Sequence, residues 1–133
     1  MKVERFTPAS VMKPLGPYSH ITKAGRFIWI GGVAGIDPST NRLAGADVFT
    51  QARQILDAFR VMLREAGSSM PHVLHVNVFL KNVADYDEMN RAFREAFGEH
   101  LPARTVVCVK DLPKEGALLT MNLNAVVDEE GPK

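Results

Sequence analysis

The residues best suited to chemistry in this sequence are an arginine and a tyrosine, each close to a proline. Arg104 follows Pro102 and precedes a β-favouring run over residues 105–109, so we expect its guanidinium at the start of a strand. A planar guanidinium holds a carboxylate through two parallel hydrogen bonds, which a lysine ammonium cannot reproduce. Tyr18, in the segment GPYS, could donate a hydrogen bond or stack on a ligand. Structural interpretations stay open for both: an ion-paired surface arginine, and a tyrosine packed beneath a proline loop.

Asn90 and Cys108 are weaker candidates. Asn90 lies in a predicted helix where neither the apolar stripe nor the solvent face demands an amide, so a plain surface residue is an equally open interpretation. Cys108, with no histidine or basic residue directly beside it, is expected to be a small buried hydrophobe. Motifs for phosphate loops, zinc proteases, redox cysteines and serine hydrolases are absent, and the histidines show no metal-ligand spacing. No metal or cofactor is therefore expected.

The first elements that must position these residues are a hairpin and a helix. Strand-forming residues run over 21–25 and 27–30, with a turn at Gly25-Arg26, and Gly31-Gly32 is expected to end the second strand. Apolar residues then recur at helical spacing between Asp47, a candidate N-cap, and Gly67, a candidate stop.

A strand is predicted over residues 73–81, with Leu74 on the same apolar face as Val76. The second helix follows it: Asp85 and Glu88 resemble a capping box, and the helix is expected to end at Gly98. These two elements lead directly to the segment that carries Arg104.

The last two strands are predicted over residues 104–109 and 118–127. In the last strand, Thr120, Asn122 and Asn124 share the face opposite the apolar one. The order β-β-α-β-α-β-β predicts an α+β domain with both helices on one face of one sheet. The face of the sheet that the helices leave uncovered mixes polar and apolar residues. Such a mixture is typical of a surface that contacts copies of the same chain, so we expect an oligomer.

The composition fits one globular domain over residues 1–133, with 46% hydrophobic and 23% charged residues. A net charge of +1 with scattered basic residues gives no stripe for a phosphate backbone, so nucleic acid is not an expected partner. The N-terminal residues lack a signal-peptide core and no apolar run would span a bilayer, so a cytoplasmic protein without a membrane partner is expected.

Several short segments, taken together, resemble the RidA (YjgF) family. They are GPYSH from residue 16, Ile30-Gly31-Gly32, QARQIL from residue 51, VNVFL from residue 76, PART from residue 102 and LPKEGALL from residue 112. The resemblance covers nearly the whole chain, and the combination at these separations is far more specific than any one piece. It implies a chorismate-mutase-like fold and a homotrimer with an inner β-barrel and active sites in clefts between subunits.

The resemblance also implies an activity, the hydrolysis of reactive enamines and imines such as 2-aminoacrylate and 2-imino acids to 2-keto acids and ammonia, without a cofactor. Carried over by position, Arg104 would anchor the substrate carboxylate, Tyr18 would close the pocket and Gly32 would let the backbone approach the ligand. Asn90 matches an asparagine near the cleft.

Three positions depart from the family pattern. Archetypal members of the family carry a glutamate in the last strand that holds the attacking water. When this sequence is aligned with the family pattern, allowing one inserted residue around positions 116–118, Thr120 occupies the position of that glutamate. Asn122 replaces a second acidic residue, and Val106 stands where the archetype has a cysteine. We expect Thr120 or Asn122 to orient the water in the glutamate's place.

Other functions stay open. A chain that keeps the arginine and lacks the carboxylate also fits a non-catalytic or regulatory binder of small 2-keto or 2-imino acids. The family has also carried the names endoribonuclease L-PSP and translation inhibitor, for which the scattered charge gives no electrostatic support.

Overall fold

A computed structural model describes residues 1–128 and shows one six-stranded sheet with two helices packed on one face. The strand order is β1-β2-β3-β8-β6-β7, and β4 and β5 form a separate small pair. The strands are β1 (Val3–Phe6), β2 (Ile21–Ala24), β3 (Phe27–Val33), β4 (Ile36–Asp37), β5 (Arg42–Leu43), β6 (Val73–Leu80), β7 (Ala103–Cys108) and β8 (Leu119–Val126). The helices are α1 (Val48–Glu65) and α2 (Tyr86–Phe97), with 3-10 turns at Met70–His72 and Val83–Asp85. The α+β architecture expected from the sequence is confirmed.

The hairpin of β2 and β3 turns at Gly25, whose φ of 58° is readily adopted only by glycine. The expectation that Gly31-Gly32 would end β3 is wrong, because the strand continues to Val33, which pairs with Met121 of β8. The pairing register shifts between Ile30 and Val33. The two glycines therefore lie in an irregular stretch of a continuing strand, which bends without ending.

The strands that the sequence did not predict are β1 and the β4–β5 pair. Strand β1 forms the edge of the sheet and has the sequence VERF, in which three residues are exposed and only Phe6 is partly buried. A strand with no buried face leaves no hydrophobic alternation to detect. The β4–β5 pair has only two residues in each strand, which is too short for a periodic signal.

Helix α1 begins as predicted. The Asp47 side chain accepts hydrogen bonds from the backbone N–H and hydroxyl of Thr50, at 2.9 and 3.0 Å, and these bonds hold the pKa of Asp47 below its ordinary value. The predicted capping box of α2 is wrong. A 3-10 turn leads into Asp85, which has φ −87° and ψ 1° instead of the extended backbone of an N-cap, and Glu88 pairs with Arg91 at 2.9 Å.

Strand β6 has its core face at Val76, Val78 and Leu80, all fully buried. The assignment of Leu74 to that face is wrong, since Leu74 is 43% exposed. The reason is a shift in the β6–β8 register between Val73 and His75, which places Val73 towards the core instead.

One buried polar side chain ties α1 to the loops at its N-terminal end. The Gln51 amide nitrogen donates to the carbonyl oxygens of Gly45 and Gly116, at 2.9 and 3.2 Å. Its carbonyl oxygen accepts from the backbone N–H of Leu118 at 2.8 Å, directly before β8. Gln51 has no exposed surface, so these bonds replace water for each buried group.

We expect Gln51→Leu to lower the free energy of unfolding by about 2–4 kcal/mol, because it leaves buried backbone groups without partners. Urea denaturation at a fixed protein concentration measures the change. Gln54→Leu is the matched control, since Gln54 is on the same helix, is half-buried and forms no side-chain hydrogen bond within residues 1–128. Equal losses in the two variants would show that the Gln51 hydrogen bonds do not stabilise the fold.

Candidate active site

Arg104 lies on the helix-covered face of the sheet. Strand β7 pairs with β6 in parallel, with Arg104 opposite the buried Val76, so the side chain points towards α2. Its guanidinium carbon is 4.8 Å from the ring centre of Phe93 and 5.7 Å from that of Tyr86. One terminal nitrogen donates to the Tyr86 hydroxyl at 3.2 Å, and the other lies 3.7 Å from the Met89 sulfur.

These contacts position the Arg104 guanidinium, and none of them is to a carboxylate. Among residues 1–128, no aspartate or glutamate forms an ion pair with it, so the ion-paired interpretation does not apply within the chain. An aromatic ring and a hydroxyl fix the orientation of the guanidinium but leave its charge unneutralised. The arrangement can therefore accept an anionic ligand.

Arg104 lines a hollow of about 350 Å³ together with Asn90, Phe93, Arg94 and Pro102. The side-chain oxygen of Asn90 is buried there, with no hydrogen-bond partner in the part of the chain that is described. Val106 lies two residues beyond Arg104, opposite Val78, and packs against the hydrophobic core. The structure thus brings Asn90 to Arg104, whereas Val106 lies outside the hollow.

Tyr18, Gly32 and Thr120 line a second, larger hollow of about 580 Å³. Tyr18 is 44% exposed, so it is not packed beneath the proline loop, and its hydroxyl accepts a hydrogen bond from the backbone N–H of Leu15 at 2.9 Å. A Cβ built on Gly32 would meet no atom of the described residues within 4 Å. Neither packing nor a positive φ explains this glycine within the chain, and the space above it is open.

Asn122 lies on the uncovered face of the sheet. Its side-chain oxygen accepts from the Asn77 amide at 2.9 Å, across the β6–β8 pair, and both line a neighbouring hollow. On the same face, His75 and Thr105 form a hydrogen bond at 3.1 Å, and Trp29 is 48% exposed. The predicted alternation of β8 is confirmed, with its even-numbered residues half-buried on this face and its odd-numbered residues in the core.

The predicted site residues therefore fall into two groups. No residue lines both the Arg104 hollow and the Tyr18 hollow. Within the described part of the chain, residues 1–128, no aspartate or glutamate belongs to either lining, whereas the Tyr18 hollow has Lys13 and Lys114, and the Arg104 hollow has Arg94 as well. Both hollows are thus suited to anions, but one chain does not place Arg104 beside Thr120.

Two residues differ from the sequence interpretation. Cys108 is exposed, so its assignment as a buried hydrophobe is wrong: it ends β7, an edge strand whose outer side has no neighbouring strand in the described sheet. His20, which the sequence did not single out, is 1% exposed and lines the Tyr18 hollow. Its position directly after GPYS was the available signal.

No three histidine, cysteine, aspartate or glutamate side chains within residues 1–128 are grouped as metal ligands. In the same residues, no helix is both long enough and apolar enough to cross a bilayer.

The fold and the site define a class of small α+β proteins. In this class, two helices pack on one face of a single sheet, and hollows suited to anions lie at separate places on the chain. The family model described as Endoribonuclease L-PSP matches residues 8–127. The chain belongs to this family, the RidA (YjgF) family, as its sequence motifs indicated.

Individual relatives agree with this assignment. A RutC family protein from Pyrococcus horikoshii is 44% identical over 115 residues, which cover 86% of this chain and 90% of the relative. The human 2-iminobutanoate/2-iminopropanoate deaminase is 33% identical over 100 residues, covering 75% of this chain and 73% of the relative. The crystal structure of the YjgF gene product from E. coli superimposes with a TM-score of 0.86 at 28% identity, covering 92% of this chain and 98% of that one.

We expect Gly32→Ala to change the free energy of unfolding by no more than about 0.5 kcal/mol, because the added methyl group enters open space. Gly35→Ala is the contrasting variant, since its Cβ would lie 2.5 Å from the backbone oxygen of Gln51 in α1. Gly35→Ala should lower the free energy of unfolding by about 1–3 kcal/mol, the usual cost of overpacking a core. Thermal or urea unfolding tests both, and a strongly destabilised Gly32→Ala would mean that the hollow is not open at this position.

Proposed function

We propose that this protein is a cytoplasmic, cofactor-free deaminase that hydrolyses 2-aminoacrylate and 2-imino acids to 2-keto acids and ammonia. The observation that carries the proposal is the orientation of Arg104, whose guanidinium is fixed by α2 and lacks a carboxylate partner within residues 1–128. A planar guanidinium in this state suits the carboxylate that all these substrates carry. The human relative named as a deaminase of 2-iminobutanoate and 2-iminopropanoate supports the same substrate class.

The complete site in this proposal lies between two subunits of a homotrimer. The Arg104 hollow of one subunit faces the Tyr18 hollow of the next, and the uncovered sheet faces form the inner barrel. Two features support this assembly: the site residues are divided between two hollows, and the uncovered face mixes apolar Phe27 and Trp29, both 48% exposed, with amides and hydroxyls.

Within that cleft, Arg104 binds the substrate carboxylate, and Asn90, which lines the same hollow, lies beside the bound ligand. Tyr18 closes the opposite wall, while Gly32 allows the ligand to lie against the backbone. The protein mainly has to hold an already electrophilic carbon beside a water molecule.

The reaction itself consumes one water. 2-Aminoacrylate first becomes its 2-imino acid tautomer, as a proton moves from nitrogen to C3. The water oxygen then bonds to the imine carbon while one water proton passes to the nitrogen. The second water proton passes from the hydroxyl to the nitrogen as the C–N bond of this carbinolamine breaks, which releases ammonia and the 2-keto acid. Thr120, which lines the Tyr18 hollow, orients this water through its hydroxyl, with Asn122 on the same strand face as the alternative. Neither side chain can hold a proton as a carboxylate does, so the substrate nitrogen takes it.

A second candidate function is the non-catalytic binding of small 2-keto or 2-imino acids. Among residues 1–128, no carboxylate lines either hollow, which favours this function because water activation then lacks a carboxylate base. Saturable pyruvate binding, combined with no acceleration of 2-iminopropanoate hydrolysis, would establish this function in place of the first.

We expect Arg104→Ala to lower kcat/KM for 2-iminopropanoate by about 100-fold or more, because the carboxylate loses a charge-assisted bidentate partner. Arg104→Lys should recover only part of the loss, since an ammonium does not reproduce the fork. The substrate is generated in situ by an amino acid oxidase, and the rate is compared with a reaction without protein.

The matched control is Arg53→Ala, which removes an exposed arginine from α1, outside both hollows. It should retain wild-type activity. Size-exclusion chromatography with light scattering confirms that every variant has the wild-type mass. Full activity in an intact Arg104→Ala oligomer would rule out the anchoring role.

A further inference from the structure

His20 is a buried histidine at the junction of the Tyr18 loop and the sheet. Its side-chain Nε2 lies 2.7 Å from the carbonyl oxygen of Met12, and His20 and Met12 are 1% and 2% exposed. Because a carbonyl oxygen only accepts hydrogen bonds, Nε2 carries the proton and donates it to Met12. Nδ1 is then a buried acceptor, for which residues 1–128 provide no hydrogen-bond partner.

The backbone of the same residue makes two further links. His20 N–H donates to the Thr7 hydroxyl oxygen at 3.1 Å, and the His20 carbonyl oxygen accepts from Gly31 N–H at 2.9 Å. The imidazole also meets the ring of Tyr18 edge-on, with ring centres 5.8 Å apart and planes at 68°. His20 thus contacts the start of the loop, its middle, its tyrosine and strand β3.

These contacts matter because the loop has little structure of its own. Residues 7–20 contain three prolines and form no helix or strand. If the imidazole N–H is lost, the buried Met12 carbonyl has no donor, and the loop must move to reach water. Such a movement would carry with it Tyr18 and the wall of the larger hollow.

We propose that His20 is a positioning residue that holds Met12 and Tyr18 and thereby sets the wall of the Tyr18 hollow beside Gly31 and Gly32. This proposal rests on the proposed deaminase function for its effect on catalysis, but its structural claim about Tyr18 can be tested without activity. His20 acts through Tyr18 and takes no part in the covalent steps.

The test compares His20→Leu with His20→Gln. Both remove the imidazole ring, but glutamine restores an N–H donor for Met12 and, like histidine, one buried acceptor. We expect His20→Leu to lower kcat/KM for 2-iminopropanoate by about 10- to 100-fold, as misplaced active-site groups commonly do, and His20→Gln to return it to within about threefold of wild type.

A spectroscopic readout follows Tyr18 directly. The chain has only two tyrosines, so 3-fluorotyrosine labelling gives two ¹⁹F resonances, which Tyr86→Phe assigns. His20→Leu should broaden the Tyr18 resonance and leave that of Tyr86 unchanged, while His20→Gln, which loses the same aromatic ring, should restore the linewidth of the Tyr18 resonance. If His20→Leu does not fold, His20→Phe replaces it, because phenylalanine also lacks the N–H.

Ser68→Ala is the control for a purely structural effect. The Ser68 hydroxyl donates to the Val126 carbonyl oxygen at 2.6 Å, outside the Tyr18 hollow, so its loss should lower stability without changing kcat/KM or the Tyr18 resonance. A folded His20→Leu whose Tyr18 resonance keeps the wild-type linewidth would overturn the proposal, whatever its activity. If the wild type does not hydrolyse the imine, the proposed function fails, and the ¹⁹F comparison alone decides the role of His20.

Discussion

The parallel pairing of β6 with β7 is the constraint on which the site depends. It places Arg104 opposite the buried Val76, so the arginine shares the face of the sheet that α2 covers. Since side chains alternate along a strand, a shift of one residue would move Arg104 to the uncovered face and leave the aromatic contacts unmade. The position of the guanidinium is thus fixed by backbone pairing first and by Phe93 and Tyr86 second.

The same sheet separates the two parts of the candidate site. Tyr18, Gly32 and Thr120 are gathered around β3, β8 and the N-terminal loop, whereas Arg104 and Asn90 are gathered where β7 meets α2. Strand β6 lies between β8 and β7 in the sheet order, so these groups belong to different places on one chain. The homotrimer proposed above would bring a second copy to each hollow and would also cover the open face of the sheet.

Much of this fold follows from local sequence patterns. The period of α1, the Asp47 cap and the alternation of β8 were predictable because each depends on neighbours close in sequence. Edge strand β1 and the exposure of Leu74 were not, since the first has no buried face and the second depends on a register shift. Such features are decided by tertiary pairing.

The candidate site divides in the same way. The placement of Arg104 at the start of a strand was predictable from Pro102 and the residues after it, but its contacts with α2 were not. His20 stood out in the sequence only by its position directly after GPYS, and its burial was not predictable, because that burial comes from a loop that packs against β3.

The most direct test of a shared cleft is complementation between two inactive variants. Arg104→Ala and Tyr18→Ala are co-expressed with different tags, the mixed oligomers are purified by both tags, and 2-iminopropanoate hydrolysis is measured. Every trimer that carries both tags contains both variants, and about one third of its clefts combine an intact Tyr18 hollow with an intact Arg104 hollow, so activity should return to about that fraction of wild type. Mixed trimers no more active than either parent would contradict a site built from two subunits.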